Sequence, residues 1–199
     1  IVAAAERLFA AKGFDGATMR ELTTQAKANL AAVNYHFGSK AGLLEEVFRT
    51  YFAPIQKERL RLLEEAEARA GGQPLPIREI LQMFLAPAVH ALSERHTGIP
   101  SLLSRLHHEP SPAIEALIHK VSQPVAQRYV LAVQRSLPHL SVQQVHLRAH
   151  FMVGAMLYVH GPGRMLMRQT LPDSEAVPDS EVLLNALLEF CEAGFRSHA

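Results

Sequence analysis

Apolar residues recur at helical spacing along the chain, and between residues 18 and 40 they divide into two short segments. The pattern predicts helices at about Thr18–Ala26 and Leu30–His36, which meet at a tight turn. Thr18 and Asn29 stand where each helix begins and carry side chains that commonly cap a helix N-terminus. Each helix has one apolar stripe, formed by Met19, Leu22 and Ala26 on the first and by Leu30, Val33 and Phe37 on the second.

The second helix of this pair is expected to be exposed on one face. Its apolar stripe would bury against the first helix, and a helix of two turns is too short to be stable alone. Its position must therefore be fixed by the elements that pack behind it, as in the helix-turn-helix arrangement for entering the major groove of DNA. The outward face would consist of Ala31, Ala32, Asn34, Tyr35 and His36.

The rest of the chain predicts an all-α fold, because no run shows the alternation of a strand. A first helix, Ile1–Lys12, should end at Gly13, and a later helix should break at Pro54. The charged segment that follows Pro54 is expected to be a solvated helix. Further helices are expected at 77–93 with an interruption at Pro87, 101–108, 113–137 divided at Pro124, 142–160 capped by Ser141, and 180–195, with one turn at 165–169.

The first quarter of the chain resembles the TetR family of one-component transcriptional regulators. The matching segments, in order, are Ile1–Phe14 (IVAAAERLFAAKGF), TMREL, and NLAAVNYHFGSK, which closes at Lys40. The resemblance implies an N-terminal helix-turn-helix DNA-binding domain, expected at 1–39, and a helical ligand-binding and dimerisation domain, expected at 40–199. One position departs from the family, whose turn usually carries glycine where this chain has Lys27. A positive φ there would cost roughly 1 kcal/mol.

The outward face of the second helix has the chemistry that the major groove requires. Asn34 can pair bidentately with an adenine, and small methyl side chains beside it can contact a thymine methyl. Hydroxyl, imidazole and ammonium groups suit phosphate oxygens, as do the amides at a helix N-terminus. Alternatively, Tyr35 and His36 cover the core of the domain and Asn34 is merely solvated. The candidate DNA contacts are Thr18, Asn29, Ala31, Ala32, Asn34, Tyr35, His36 and Lys40.

One such domain makes few contacts, so useful affinity requires two copies. A two-fold homodimer would place two recognition helices about 34–36 Å apart on a palindromic operator in double-stranded DNA. The family resemblance implies that the helices at 142–160 and 180–195 form the dimer; the alternative is that they are ordinary core of a single chain. The candidate interface residues are Gly154, Ala155, Leu157, Leu183, Leu187 and Phe190.

Helix breaks in the larger domain favour a cavity between helices, which is a common site for small molecules. A charge that faces inward there needs an acidic side chain, a carbonyl at a helix end or a ligand carboxylate as its partner. The segments REILQMFLAPAV, SRL and LRAHFMVGA resemble the fatty-acid-responsive branch of the TetR family, which implies an acyl chain or similar amphipathic carboxylate as effector. The candidate ligand-binding residues, each of which could instead belong to the core or to an ion pair, are Met83, Phe84, Arg105, Arg148, His150, Phe151 and Met152.

Composition narrows the class of protein. The 199 residues are 48% apolar, which is enough for a buried core, and the net charge of +1 means that DNA binding must come from a local site. The single cysteine, Cys191, excludes an internal disulfide framework and favours the reducing cytoplasm. No apolar run approaches the ~18 residues of a membrane helix. Because the chain begins at Ile1, we expect an N-terminal arm upstream of it.

Motifs for catalysis are missing from the sequence. We find no nucleophile elbow and no glycine-rich phosphate loop, so neither an enzyme nor a cofactor is predicted. His146 and His150 have the spacing of metal ligands, but no glutamate follows His146 as in H-E-x-x-H, and we predict no metal. The favoured function is a dimeric, ligand-responsive DNA-binding regulator, a repressor released by a small apolar or acyl effector. The alternatives are a metal- or His-dependent enzyme that retains a regulator's domain and a DNA-binding protein without an effector.

Overall fold

The computed structural model describes residues 1–93, 102, 112–172 and 174–197, and over these residues it confirms the all-α prediction. This part of the chain contains ten helices and no strand. The helices are α1 (Val2–Gly16), α2 (Met19–Gln25), α3 (Leu30–Phe37), α4 (Lys40–Tyr51), α5 (Ala53–Ala70), α6 (Ile77–Ser93), α7 (Pro112–Ser136), α8 (Val142–His160), α9 (Pro162–Thr170) and α10 (Ser180–Arg196). The helix predicted at 101–108 lies outside the described residues, apart from Leu102, which is buried.

Two of the predicted helix breaks are confirmed. At Gly13 the backbone leaves helical geometry, with φ 77° and ψ 171°, although helical turns resume and continue to Gly16. The helix after residue 40 ends at Tyr51, and α5 begins at Ala53. Pro54 therefore lies in the first turn of a new helix, where its missing N–H leaves no intrahelical bond unmade.

The interruptions predicted at Pro87 and Pro124 are wrong, because α6 and α7 run through both prolines. Each proline removes one backbone hydrogen bond, which packing on either side of it can outweigh. Arg59 Nε also donates to α6 in this region, at the carbonyl of Phe84, 2.7 Å away. The single turn expected at 165–169 is instead the nine-residue helix α9.

The helices form two compact units. The first consists of α1 to α4 with the part of α7 that ends at Ser122, and within it α1 packs on α2 and α4 while α3 packs on α2 and α4. Its core includes Ala5, Leu8, Phe9, Leu22, Val33, Leu43, Leu44 and Val47.

The second unit consists of α5, α6, the part of α7 that begins at Gln123, and α8 to α10. Its most extensive packing joins α6 to α10, and α8 contacts α6, α9 and α10. The core includes Leu63, Ile80, Leu81, Leu85, Val145, Leu184 and Leu188. Across the described ranges, no helix is both long enough and apolar enough to cross a membrane.

Candidate nucleic-acid interface

The start of α2 is fixed by a network around Thr18, its N-cap. The Thr18 hydroxyl accepts from the Glu21 amide, and the Glu21 carboxylate accepts in return from the Thr18 amide, at 3.1 Å. This reciprocal capping box satisfies two amides that the helix itself leaves without partners. Lys12 of α1 donates to the same carboxylate at 2.5 Å. The ammonium of Lys12 and the capping bonds of Thr18 lower the pKa of Glu21 to about 2.

The turn between α2 and α3 contains the departure noted in the sequence. Lys27 has φ 49°, the left-handed conformation that glycine adopts without steric cost, so the positive φ considered for this position is present. The turn is closed by backbone bonds from the Lys27 amide to the Thr24 carbonyl and from the Ala28 amide to the Thr23 carbonyl, at 3.2 and 2.9 Å. These bonds set the angle at which α3 leaves α2.

Helix α3 lies on the surface of the first unit. Asn29 caps it as predicted, accepting from the Ala31 amide at 2.7 Å. On the inner side of α3, Val33 is fully buried and Phe37 is half-buried. Leu30, predicted to be buried, is exposed at the first position of the helix. The outward face is exposed throughout, with Tyr35 at 87%, and consists of Ala31, Ala32, Asn34, Tyr35 and His36.

The junction from α3 to α4 is held by close backbone contact. Ser39 caps α4 by accepting from the Gly42 amide at 3.1 Å. A Cβ on Gly42 would lie against the Phe37 carbonyl oxygen, far inside van der Waals contact, so only glycine fits there. Gly42 was not singled out from the sequence, although a glycine in the first turn of a helix is a signal of close approach.

Lys40, a candidate phosphate contact, has partners within the domain. Its ammonium donates to the Ala17 carbonyl at 3.1 Å and to the Asp15 carbonyl at 3.4 Å, and it lies 4.5 Å from the centroid of the Phe14 ring. Lys40 therefore ties the beginning of α4 to the connection between α1 and α2. In this arrangement it positions the helix-turn-helix.

Two helices of the second unit expose apolar stripes. On α8 the exposed positions fall at i, i+4, i+7 and i+11 and consist of Leu147, Phe151, Gly154 and Tyr158. On α10 they consist of Val182, Ala186, Phe190 and Ala193. Phe151 and Phe190 are 68% and 69% exposed, which is unusual for side chains of this size.

Of the candidate interface residues, Gly154 and Phe190 are exposed and Ala155 is half-buried. The leucines at 157, 183 and 187 are buried in the core of the single chain.

Family models match the chain in the same order as these elements. Residues 1–47 match the bacterial regulatory proteins of the tetR family, and residues 82–194 match the tetracyclin repressor-like C-terminal domain. The second match alone covers more than half of the chain. The chain belongs to the TetR family of transcriptional regulators. The resemblance seen in the sequence is thereby confirmed.

Named relatives support the family, and the matches differ in how much of each chain they cover. The probable HTH-type transcriptional regulator YttP of Bacillus subtilis (strain 168) is 35% identical over 57 residues, 29% of this chain and 28% of YttP. The HTH-type transcriptional dual regulator CecR of Shigella flexneri is 30% identical over 130 residues, 63% of this chain and 57% of CecR. This chain therefore matches less than two thirds of the length of either relative. Among solved structures, FadR from Bacillus subtilis in complex with stearoyl-CoA covers 97% of this chain and 96% of its own, with a TM-score of 0.60 at 15% identity, which shows a shared fold.

The candidate ligand residues of this TetR-family chain differ in burial. Met83 and Met152 are buried, Phe84 is half-buried, and Phe151 belongs to the exposed stripe of α8. Arg105 lies outside the described residues. A recess in the second unit is lined by different residues, Glu67, Gln73, Leu75, Ala132 and Arg135.

Arg148 is bonded to carbonyls at a helix end, which is one of the three kinds of partner expected for it. Its guanidinium donates to the carbonyls of Phe195 and Ser197, at 2.7 and 3.0 Å, where α10 ends. A cation in this position satisfies orphan carbonyls and complements the helix dipole. His150 is exposed and its Nδ1 donates to the carbonyl of His146 one turn earlier. Within the ranges that the structure describes, no three potential ligands cluster as a metal site.

Arg59 was not singled out from the sequence. Among the described residues of the second unit, it is the charged side chain that is buried. It is 7% exposed, although α5 is densely charged and was expected to be solvated. Burial lowers the pKa of its guanidinium to about 10, so it remains protonated at neutral pH. The signal was present: Arg59, Leu63 and Ala66 fall at i, i+4 and i+7, and all three are buried.

Proposed function

We propose that this TetR-family chain is a cytoplasmic homodimer that binds a palindromic DNA operator through α3 and releases it when an acyl or similar apolar effector binds the second unit. The observation that carries the proposal is the exposed outward face of α3, held in place by caps at both ends and by Val33 beneath it. A helix presented in this way has the dimensions and chemistry for the major groove.

The proposed contacts divide by chemistry. Asn34 is the side chain suited to a bidentate pair with an adenine, and Ala31 and Ala32 bring the helix close to a thymine methyl. Tyr35 and His36 suit phosphate oxygens, as do the amides near Thr18 and Asn29. Since the Lys40 ammonium is already bonded to two carbonyls, we assign it a positioning role and no phosphate.

The exposed stripes of α8 and α10 support the homodimer. A contiguous apolar surface on a protein of this size is costly in water and marks an interaction site. A two-fold contact buries the same patch on both copies, and Gly154 permits close helix approach because nothing lies within 4 Å of where its Cβ would be. We propose an interface of Leu147, Phe151, Gly154, Ala155, Tyr158, Val182, Ala186 and Phe190.

The proposed effector is an acyl compound because the FadR structure with this fold holds stearoyl-CoA. Release of DNA would be a population shift: the effector prefers one of two orientations of α4, and this changes the separation of the two α3 helices. The shift can be no larger than the difference in the effector's affinity for the two states. Repression is the regulatory direction we assign.

Selection of bound duplexes from a random pool tests the proposal. We expect enrichment of a two-fold symmetric sequence with half-site centres one helical turn apart, and loss of binding when dodecanoate or stearoyl-CoA is added. A pool without symmetric enrichment would contradict dimeric recognition. Operator affinity that no member of a fatty-acid and acyl-CoA panel changes would contradict the assigned effector class.

A further inference from the structure

Arg59 lies where three helices of the second unit meet. Its Nε donates to the Phe84 carbonyl of α6 at 2.7 Å, and its Nη1 donates to Gln56 Oε1 of α5 at 2.8 Å. The guanidinium carbon lies 3.8 Å from the centroid of the Phe84 ring. From α7, the Tyr129 hydroxyl donates to the Arg59 carbonyl at 2.9 Å, and its ring meets Phe84 edge-on.

Within the part of the chain that the structure describes, every partner of this buried cation is neutral. It is bonded to a carbonyl, an amide oxygen and an aromatic face, and among the described residues no carboxylate forms an ion pair with it. A buried charge without a counter-charge is unfavourable unless something else compensates it.

The acids of α5 are committed to other arginines. Glu58 and Glu65 pair with Arg61, while Glu64 and Glu67 pair with Arg128, which lies on α7. The helix therefore carries four carboxylates and directs them all away from its one buried cation.

We propose that Arg59 is the anchor for the anionic head group of the effector, a carboxylate or phosphate joined to an apolar chain. This inference rests on the proposed function and names the residue and the charge that its ligand must have.

The geometry suits such a ligand. Gln56 and Phe84, the side chains that touch the guanidinium, are only half-buried, so they can shift without opening the core. An anion that replaces the neutral Gln56 oxygen at Nη1 can use the planar fork of the guanidinium, which fits carboxylate and phosphate oxygens bidentately. The Nε bond to the Phe84 carbonyl can remain, so the guanidinium is oriented before the ligand arrives.

The test compares three probes with the same chain length: dodecanoate, dodecyl phosphate and the neutral n-dodecanol, each below its micellar concentration. Their affinities for the purified full chain are measured by calorimetry. We expect wild type to bind at least one of the two anions about tenfold or more tightly than the alcohol. Arg59→Met, which has similar apolar bulk without charge, should bind all three within about twofold. Which anion binds better distinguishes a free carboxylate from a phosphate-bearing effector.

Arg61→Met is the matched control, because Arg61 lies on the same helix but is exposed and paired with Glu58 and Glu65, and it should keep the preference for anions. Arg148→Met tests the rival arginine, which is bonded to the carbonyls of Phe195 and Ser197, and it should keep the preference as well. The inference is overturned if Arg59→Met keeps the preference, if Arg61→Met or Arg148→Met loses it instead, or if wild type shows none. Operator binding by the chain without probes is measured beside each titration. Its failure would contradict the proposed function, whereas loss of anion preference with intact operator binding would contradict the role of Arg59 alone.

A second measurement covers the case in which Arg59→Met does not fold. Wild type is titrated with dodecanoate labelled with carbon-13 at the carboxyl, and the pKa of the bound acid is followed by NMR. A neighbouring guanidinium should lower this pKa below that of the free acid, whereas an apolar site without a cation should raise it. A raised or unchanged pKa overturns the inference.

Discussion

The outward face of α3 and the apolar stripes of α8 and α10 differ in how well water solvates them. The outward face of α3 is built of amide, hydroxyl and imidazole groups with small methyls, and water satisfies its polar groups until a partner arrives. The stripes of α8 and α10 present Phe151 and Phe190 at more than two thirds exposure, and water offers such carbon surfaces no compensation. Under the proposed function each surface fits a different kind of partner: a polar one that binds and leaves for α3, and a permanent apolar one for α8 and α10.

The largest expected effect comes from placing a charge in the apolar stripe. In Phe151→Glu the dimer would have to bury an unpaired carboxylate, so we expect a monomer and a loss of operator affinity of roughly a hundredfold or more. Sedimentation and operator titration measure both. Leu131→Glu is the control, because Leu131 is also exposed but lies on α7 outside the stripes. A dimer that survives Phe151→Glu, or one that Leu131→Glu also dissociates, would move the interface elsewhere.

Gly42→Ala should weaken DNA binding by the outward face of α3, although Gly42 is not part of that face. Since the new Cβ would collide with the Phe37 carbonyl, α3 must shift, and overpacking of this kind costs about 1–3 kcal/mol in the free energy of unfolding. Operator affinity should fall roughly tenfold while the dimer persists. Gly16→Ala is the matched control, because its Cβ would meet only the Lys12 Cβ, at an ordinary 3.6 Å. Equal behaviour of the two variants would contradict the close junction.

Relief of the strained turn is a smaller effect in the opposite direction. Lys27→Gly should raise the free energy of unfolding by about 1 kcal/mol, because glycine adopts a positive φ without the steric penalty. Chemical denaturation measures the change. Gly38 supplies the reverse experiment: with φ 70° and ψ −48° it lies in a region that costs other residues about 1–3 kcal/mol, so Gly38→Ala should destabilise by at least as much. A destabilised Lys27→Gly would mean that the lysine side chain makes a contact worth more than the strain.

The smallest effect concerns the charge behind the cap of α2. The pKa of Glu21 in the folded chain lies near 2, below its ordinary 4.5, so the carboxylate stabilises the fold fully above pH 4.5 and loses this effect as the pH falls towards 2. Glu21→Gln keeps a capping side chain without the charge. The difference in melting temperature between wild type and this variant should therefore shrink over that interval. In a Lys12→Met background the difference should already be reduced at neutral pH, and a difference independent of pH would contradict the assignment.

Local features of this fold were predictable, and features that depend on a distant partner were not. The caps Thr18, Asn29 and Ser141 were identified from sequence because capping involves only the next three residues. The burial of Arg59 was not, since the Phe84 carbonyl that it bonds lies 25 residues further along the chain. The exposed face of α3 followed from periodicity alone.

The candidate dimer residues and Arg59, all in the second unit, show the same limit of prediction from sequence. The family resemblance singled out the helices α8 and α10, but both have apolar residues on two faces, and sequence alone does not say which face the single chain buries. Leu183 and Leu187 face inward, while Val182 and Phe190 face outward. Arg59 was passed over because its neighbours are charged, although its register with Leu63 marks the buried side.

Asn34→Ala tests the central claim, that the outward face of α3 recognises DNA sequence. Affinities for the selected operator and for a scrambled duplex of equal length are compared at one salt concentration. The account predicts a loss of about 1–3 kcal/mol on the operator, relaxed preference at one base pair of each half-site, and unchanged binding of the scrambled duplex. Undiminished operator affinity, or an equal loss on both duplexes, would contradict it.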